Sequence, residues 1–206
     1  MTASATDLAL YAGALFVLFM TPGPVWVALL ARALSGGFAS AWPLALGVVI
    51  GDILWPLLAI LGVSWIVSAY GAFMSMLRWG AAAIFWIMGI GLIRHAGRRI
   101  GRDSRLTRPG RWAGFAAGVA VILGNPKAIL FYMGVLPGFF DLAAVTPRDI
   151  AAITALSAAV PLVGNLILAG FVHRMRPVLA SGHALARMNR IAGGLLILVG
   201  CVIPFT

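Results

Sequence analysis

The amino-acid sequence predicts an all-α integral membrane protein with six transmembrane helices, arranged as two inverted three-helix repeats in which helices 1 and 4 are broken by proline. This fold class follows from the composition of the chain, from the distribution of its arginines and from a proline motif that occurs once in each half. Of the 206 residues, 62% are hydrophobic and 10% are charged, whereas soluble domains contain about 25% charged residues. The chain has too little polar material to cover a globular surface, so we expect no soluble domain beside the helices.

Six apolar runs are separated by turn residues and arginines, and each is long enough for a spanning helix of about 20 residues. The stretch 33–77 is too long for one helix, and the turn residues at Ser68–Gly71 divide it. We predict one transmembrane domain over 1–206, with repeats at about 1–96 and 110–206. The predicted spans lie at about 7–32, 40–67, 72–94, 112–138, 149–172 and 188–206.

The arginines are concentrated in alternate loops. Seven lie between the third and fourth runs and four between the fifth and sixth, and Arg32 is assigned to the first loop. Since cytoplasmic loops are enriched in Lys and Arg, we expect both termini outside and an Arg-rich cytoplasmic loop between the repeats, facing membrane lipid. A nucleic-acid partner is not expected despite the net charge of +10, because no aromatic residues are interleaved between Arg94 and Arg111.

Several kinds of chemistry are excluded by the residues that the chain lacks. Cys201 is its one cysteine, so no internal disulfide or redox pair can form. The three histidines lie outside the apolar runs without the spacing of a metal site, and no phosphate-binding loop occurs. We therefore expect no enzymatic activity, no metal site and no cofactor.

Two proline-interrupted segments occupy matching positions in the halves, namely Thr21-Pro-Gly-Pro24 and Gly124-Asn-Pro-Lys127, and they are separated by about half the chain. Since each half contains three spans, an odd number, the second copy would enter the membrane inverted. This is the plan of many secondary transporters. The alternative is that apolar helices resemble one another by composition alone.

Each proline-interrupted segment predicts an opened backbone. Proline lacks an N–H, so Pro22 frees the carbonyl of Leu18, and Pro126 frees that of Ile122 in the same way. An unpaired backbone group in hydrocarbon costs several kcal/mol, so such breaks persist only where protein or a water-filled cavity satisfies them. The sequence therefore predicts a substrate site at the two breaks, with simple kinks as the alternative. The predicted site residues there are Thr21, Pro22, Gly23, Pro24, Asn125, Pro126 and Lys127.

Two charged residues, Asp52 and Lys127, lie inside apolar runs. An ionised carboxylate at mid-membrane costs about 2.5–3.5 kcal/mol even on the mildest insertion scale, and such residues usually mark ion or proton pathways. We predict that Asp52 carries a proton. Lys127 is either its ion-pair partner or a contact for a substrate carboxylate, and a static ion pair that locks helices together is the structural alternative. Asn165 occupies a roughly corresponding place in the fifth run.

Three glycine pairs with helical spacing allow helix backbones to approach closely. They are Gly47 and Gly51, Gly114 and Gly118, and Gly134 and Gly138. We favour packing within the chain, and a homodimer interface is the alternative.

These motifs resemble the lysine exporter (LysE/RhtB) family of bacterial amino-acid exporters. The resemblance covers essentially the whole chain and is carried by Thr21-Pro-Gly-Pro24, by Gly51-Asp52 and by Gly124-Asn-Pro-Lys-Ala128, in this order. It implies a six-span carrier of the bacterial inner membrane that exports amino acids or related small solutes, driven by the proton gradient. Many members have asparagine directly after the first motif, whereas this chain has Val25 and Trp26, a difference that allows a more hydrophobic amino acid.

The sequence thus predicts a proton-coupled secondary transporter. Asp52 would carry the proton, and the opened backbone would bind a small-molecule substrate by accepting from its ammonium while Lys127 meets its carboxylate. Two alternatives from other classes are a passive channel and a structural subunit of a membrane complex.

Overall fold

The computed structural model describes residues 2–63, 110–142 and 144–179, together with isolated residues between 79 and 94 and between 186 and 201. Those described residues contain helices and turns but no strand. Of the predicted spans at 72–94 and 188–206 the structure describes only isolated residues, and most of the Arg-rich loop lies outside the described residues. The six-span inverted repeat and the single domain over 1–206 therefore stay predictions.

The helices of the described ranges follow one another closely. Short π-helical turns continue α3 over Ala59–Val63 and α5 over Phe131–Val135, and a 3-10 turn follows at Leu136–Gly138. The α-helices are α1 (Ala5–Met20), α2 (Pro24–Gly36), α3 (Phe38–Leu58), α4 (Arg111–Leu123), α5 (Pro126–Leu130) and α6 (Pro147–Leu179).

Four of the predicted spans correspond to apolar helices. Phe38–Gly62 and Pro147–Met175 are each long and apolar enough to cross a membrane alone. Helices α1 and α2 meet at a bend of 59°, and Arg111–Leu123 meets Pro126–Gly138 at 49°, so each bent pair can form one broken span. These features are those of an all-α membrane protein, and the two bends lie where the proline motifs predict them.

Both bends follow from local backbone chemistry. Helix α1 ends at Met20, and α2 restarts with Pro24 in its first position, where a missing N–H costs nothing. Helix α5 also begins with proline, Pro126, and is capped by Asn125, whose side-chain oxygen accepts from the Lys127 N–H at 3.2 Å. The chain is therefore built to stop and restart a helix at both positions.

Helix α3 lies at the centre of the described bundle and packs against α2, α4 and α6. Its contact with α4 is close because glycines meet there. A Cβ on Gly47 would collide with the carbonyl oxygen of Phe115, and a Cβ on Gly118 would collide with that of Leu44. Packing within the chain is thus confirmed for these glycines, whereas a Cβ added to Gly138 would meet no neighbouring atom within 4 Å.

A tight turn joins α2 to α3. Gly37 has a φ of +71°, in the left-handed region that side chains disfavour. The Gly37 N–H donates to the carbonyl of Ala33 at 2.9 Å, and the imidazole of His173 on α6 lies directly against the Gly37 Cα. The turn therefore brings the start of α3 against the C-terminal part of α6.

Charged residues are unevenly distributed between the two ends of the described bundle, with Asp7, Arg148 and Asp149 at the end where the N-terminus lies. Arg32 and Arg111 are at the end where α2 stops and α4 begins, and Arg32 donates to the Gly110 carbonyl at 3.2 Å. At the other end, the Asp149 carboxylate accepts from the Thr2 N–H at 3.0 Å and so ties the N-terminus to α6. The positive-inside rule gives this distribution when the N-terminus faces outside.

Arg32, which the sequence assigns to the first loop, is a buried helical residue. It lies within α2 and is 1% exposed. Its Nε donates to the Ser40 carbonyl at 2.6 Å, in addition to the Nη2 bond to Gly110. The burial is possible because the first turns of α3 and α4 both lie against the end of α2, where their carbonyls can satisfy a buried guanidinium.

Candidate substrate and proton site

The two helix breaks are in contact with each other. The Lys127 ammonium, at the second break, donates to the carbonyls of Leu18 at 2.6 Å and Thr21 at 2.5 Å, at the first break. Gly23 lies beside it, since a Cβ on Gly23 would be 3.5 Å from the Lys127 Nζ. The carbonyl that Pro22 frees is therefore satisfied by a cation from the other half of the chain.

The carbonyl freed at the second break is also satisfied by a side chain from the opposite half. Trp55 on α3 donates its indole N–H to the carbonyl of Ile122 at 3.3 Å, and the Asn125 N–H donates to the same oxygen at 3.2 Å. Trp55 was missed at the level of sequence, because an indole in an apolar run resembles an ordinary core or lipid-facing residue.

A small cavity of about 40 Å³ lies between the breaks. One water molecule needs roughly 10–15 Å³, so the cavity can hold a few waters and must widen before an organic solute enters. Its walls are mostly apolar, with one acidic, one basic and two amide side chains. The described lining residues are Leu18, Phe19, Val25, Trp26, Val48, Asp52, Ile122, Asn125, Lys127, Ala128, Pro161 and Asn165.

Asp52 lies in this wall and is 3% exposed. Its Oδ1 accepts from the hydroxyl of Tyr132 at 3.3 Å, whereas its Oδ2 has no hydrogen-bond partner. Lys127 lines the same cavity but donates to backbone carbonyls, so the two charges form no direct hydrogen bond. Of the two roles considered for Lys127, an ion pair with Asp52 is not the contact observed.

The predicted site residues differ in how they reach the cavity. Asp52, Asn125 and Lys127 line it, whereas Thr21 contributes its carbonyl and turns its hydroxyl back to the Val17 carbonyl at 2.9 Å. Gly23 contacts Lys127. The remaining predicted residues act through the backbone as helix stops and starts, and they are Pro22, Pro24 and Pro126.

Asn165 on α6 is a further polar group in the wall. It is buried, and its Oδ1 has no hydrogen-bond partner. Trp26, which follows the first proline motif, also lines the cavity, and its indole N–H donates to the Phe19 carbonyl at 2.7 Å. The first break thus supplies both backbone carbonyls and a large aromatic wall.

Three buried hydroxyl groups near Asp52 were missed at the level of sequence. They belong to Tyr132, Ser157 and Tyr11, and the Tyr11 hydroxyl lies 2.6 Å from the Ser157 Oγ. Tyrosine and serine occur throughout apolar helices, so no local signal separates these three from core residues. Their proximity depends on how α1, α6 and the segment after α5 pack together.

Residues 16–204 of the chain match the LysE type translocator family. The chain belongs to this family. The resemblance inferred from the proline motifs is therefore confirmed, and the chain is a transport protein rather than an enzyme.

Relatives of this translocator include both unassigned and named proteins. An uncharacterised membrane protein of Synechocystis is 32% identical over 190 residues, which cover 91% of this chain and 90% of the relative. A leucine efflux protein of Klebsiella pneumoniae is 31% identical over 136 residues, 66% of this chain and 63% of the relative. A chemotactic transduction protein of Pseudomonas aeruginosa is 32% identical over 128 residues, 61% and 62% of the two chains. No solved structure matches the translocator.

Proposed function

We propose that this LysE type translocator exports amino acids with apolar side chains across the bacterial inner membrane in exchange for protons. The relative named as a leucine efflux protein supports the substrate class. The observation that carries the proposal is the Lys127 ammonium bound to the carbonyls of Leu18 and Thr21, in a small cavity whose wall also includes Asp52.

The carbonyls of Leu18 and Thr21 can accept from any ammonium group, and an amino acid carries one on its α-carbon. When a substrate ammonium replaces that of Lys127 on these oxygens, the released Lys127 can pair with the substrate carboxylate. Both ends of a zwitterion then have partners of opposite charge or dipole. The apolar wall, which includes Val25, Trp26 and Val48, suits a hydrocarbon side chain.

Asp52 supplies a carboxylate that can bind and release the proton exchanged for the substrate. It is the acidic residue among the described lining residues, and its Oδ2 has no partner that competes for a proton. Because Lys127 lies in the same wall, movement of its charge between backbone carbonyls and substrate changes the field at Asp52. Substrate binding and proton binding are thereby linked.

The proposal is tested with the full chain in liposomes. We expect wild-type protein to move radiolabelled leucine against its gradient when a pH gradient is applied, and to exchange leucine at equal pH. Asp52→Asn should abolish the gradient-driven transport while the protein remains folded in detergent. The matched control is Asp7→Asn, which changes a carboxylate at the capped start of α1 and should behave as wild type.

A pH response that survives in Asp52→Asn would remove the proton role of this residue. The alternatives give different results in the same system. Leucine-independent conductance in a planar bilayer would identify a channel. The absence of any leucine flux would favour a structural or signalling component. One relative is named for chemotactic transduction.

A further inference from the structure

A row of three buried hydroxyl groups, from Tyr132, Ser157 and Tyr11, leads from Asp52 away from the cavity, and we call it the hydroxyl line. Asp52 Oδ1 accepts from the Tyr132 hydroxyl at 3.3 Å. The Ser157 hydroxyl lies close enough to that of Tyr132 to influence it, although no direct hydrogen bond joins the two. The Ser157 Oγ lies 2.6 Å from the Tyr11 hydroxyl. All four residues are buried. A polar group in an apolar interior costs free energy unless it is hydrogen-bonded, and these side chains supply hydrogen-bond partners for one another.

The line runs toward the end of the bundle where the N-terminus lies. Tyr11 is six residues into α1, about 9 Å along the axis from the helix start, and the N-terminus is held against α6 by Asp149. The rings of Phe139 and Phe140 pack against Tyr11 with centroids 5.7 and 5.3 Å away. These rings cover the Tyr11 end of the line.

We infer that Tyr11, Ser157 and Tyr132 form the path by which a proton reaches Asp52 from the N-terminal end of the bundle. The inference rests on the proposed function, because it specifies the route of the proton that Asp52 exchanges. Parting of the aromatic rings over Tyr11 would admit the proton to the path.

Each step of the path is a proton transfer between oxygens. Tyr11 accepts a proton on its oxygen and passes its own to the Ser157 Oγ. Ser157, whose hydroxyl donates to the Ile153 carbonyl at 2.8 Å, rotates and passes its proton to Tyr132, which protonates Asp52. One proton enters, the Asp52 carboxylate becomes a carboxylic acid, and rotation of the hydroxyls restores the line without any change in oxidation state.

The other charged and titratable groups near Asp52 come from α1, α5 and the π-helical turn after α5. Lys127 on α5 acts on it through the cavity, and Tyr11 on α1 and Tyr132 after α5 act on it through the hydroxyl line. Helix α6 contributes the neutral amide of Asn165 to the same wall. Lys127 is therefore the described cation that affects both the cavity and the inner end of the line.

A purely structural role for these contacts predicts a different behaviour. The Tyr11 to Ser157 bond also fastens α1 to α6, so its loss could weaken the bundle and slow every mode of transport together. A proton path is needed only when transport requires net proton movement. Leucine exchange at equal pH does not need such movement, so it separates the two roles.

The experiment compares the two modes in liposomes with the full chain, using Tyr11→Phe, which keeps the aromatic packing, and Ser157→Ala. We expect gradient-driven leucine transport to fall by at least about tenfold, the effect of about 1.4 kcal/mol on a barrier, while leucine exchange stays within about twofold of wild type. Ser157→Thr keeps a hydroxyl and should restore driven transport.

Thr154→Val is the matched control. Thr154 lies one helical turn before Ser157 on α6, and its buried hydroxyl oxygen has no hydrogen-bond partner. Its removal should leave both modes unchanged.

Three outcomes would overturn the inference. If driven transport is lost in Asp52→Asn but intact in both Tyr11→Phe and Ser157→Ala, the path is wrong and the proposed function stands. If these two variants lose exchange and driven transport equally, the contacts are structural. If a pH gradient drives no leucine transport by the wild-type protein, proton coupling itself is wrong and the path falls with it.

Discussion

At the scale of single residues, Lys127 is the clearest link between the two halves of the chain. Its ammonium takes the place of the backbone donor that Pro22 cannot provide to Leu18. A buried carbonyl left without a donor costs about 1–3 kcal/mol, so the residue stabilises the first break in addition to any role in binding substrate.

We expect Lys127→Met to lower both transport and stability. The apolar side chain leaves the carbonyls of Leu18 and Thr21 without this donor, so the unfolding midpoint in detergent should fall and leucine transport should drop by about tenfold or more, in line with 1–3 kcal/mol. The measurements are a thermal unfolding curve and a liposome assay. Arg148→Met removes a cation from an exposed position at the other end of the bundle and should change neither. Wild-type transport in Lys127→Met would contradict the proposed role.

At the scale of secondary structure, the glycines between α3 and α4 set the distance between these two helices where they cross. Gly47 and Gly118 face backbone carbonyls of the opposite helix, and a backbone cannot move aside as a flexible side chain can. The crossing fixes Asp52 on α3 relative to Ile122 near the end of α4, so both lie in the same cavity wall.

Gly118→Ala should therefore push α4 away from α3. Overpacking of this kind costs about 1–3 kcal/mol, and we expect a lower unfolding midpoint together with impaired leucine transport. The control is Gly13→Ala on α1, where an added Cβ has no neighbour within 4 Å. Equal midpoints for Gly118→Ala and wild type would show that the crossing is looser than described.

At the scale of the whole molecule, charge determines how the bundle sits in the membrane. Arg32 and Arg111 lie at one end, and Asp7 and Asp149 lie at the other. Positive residues favour the cytoplasmic side. The hydroxyl line ends near the acidic end, so this orientation also directs the inferred proton path toward the outside, where an exchanger would collect protons.

The orientation can be tested by cysteine labelling in a background where Cys201 is replaced by serine. We expect Ala144→Cys, exposed before α6, to react with a membrane-impermeant maleimide added to intact spheroplasts. Ala39→Cys, exposed at the start of α3, should react only after permeabilisation. The reverse pattern would place the basic end outside and contradict both the topology and the direction of the path.

Much of the fold was predictable because the responsible chemistry is local. Apolar runs of spanning length predicted two long helices and two bent helix pairs that the structure describes, and proline predicted both bends. The inverted relation of the repeats is not local, and only isolated residues of the spans at 72–94 and 188–206 are described. The burial of Arg32 was not predictable for the same reason, since its partners belong to the starts of two distant helices.

The residue types alone specified a membrane protein of the LysE type translocator family, two opened backbones and two charges inside apolar runs. They could do so because a proline lacks its N–H, and a carboxylate is costly in hydrocarbon, wherever the chain goes. Helix packing decided which of these groups form contacts with one another. The contacts of Lys127 with Leu18, of Trp55 with Ile122 and of Tyr11 with Ser157 join residues far apart in sequence, and hydrogen bonds form only between groups that the crossing helices bring within reach.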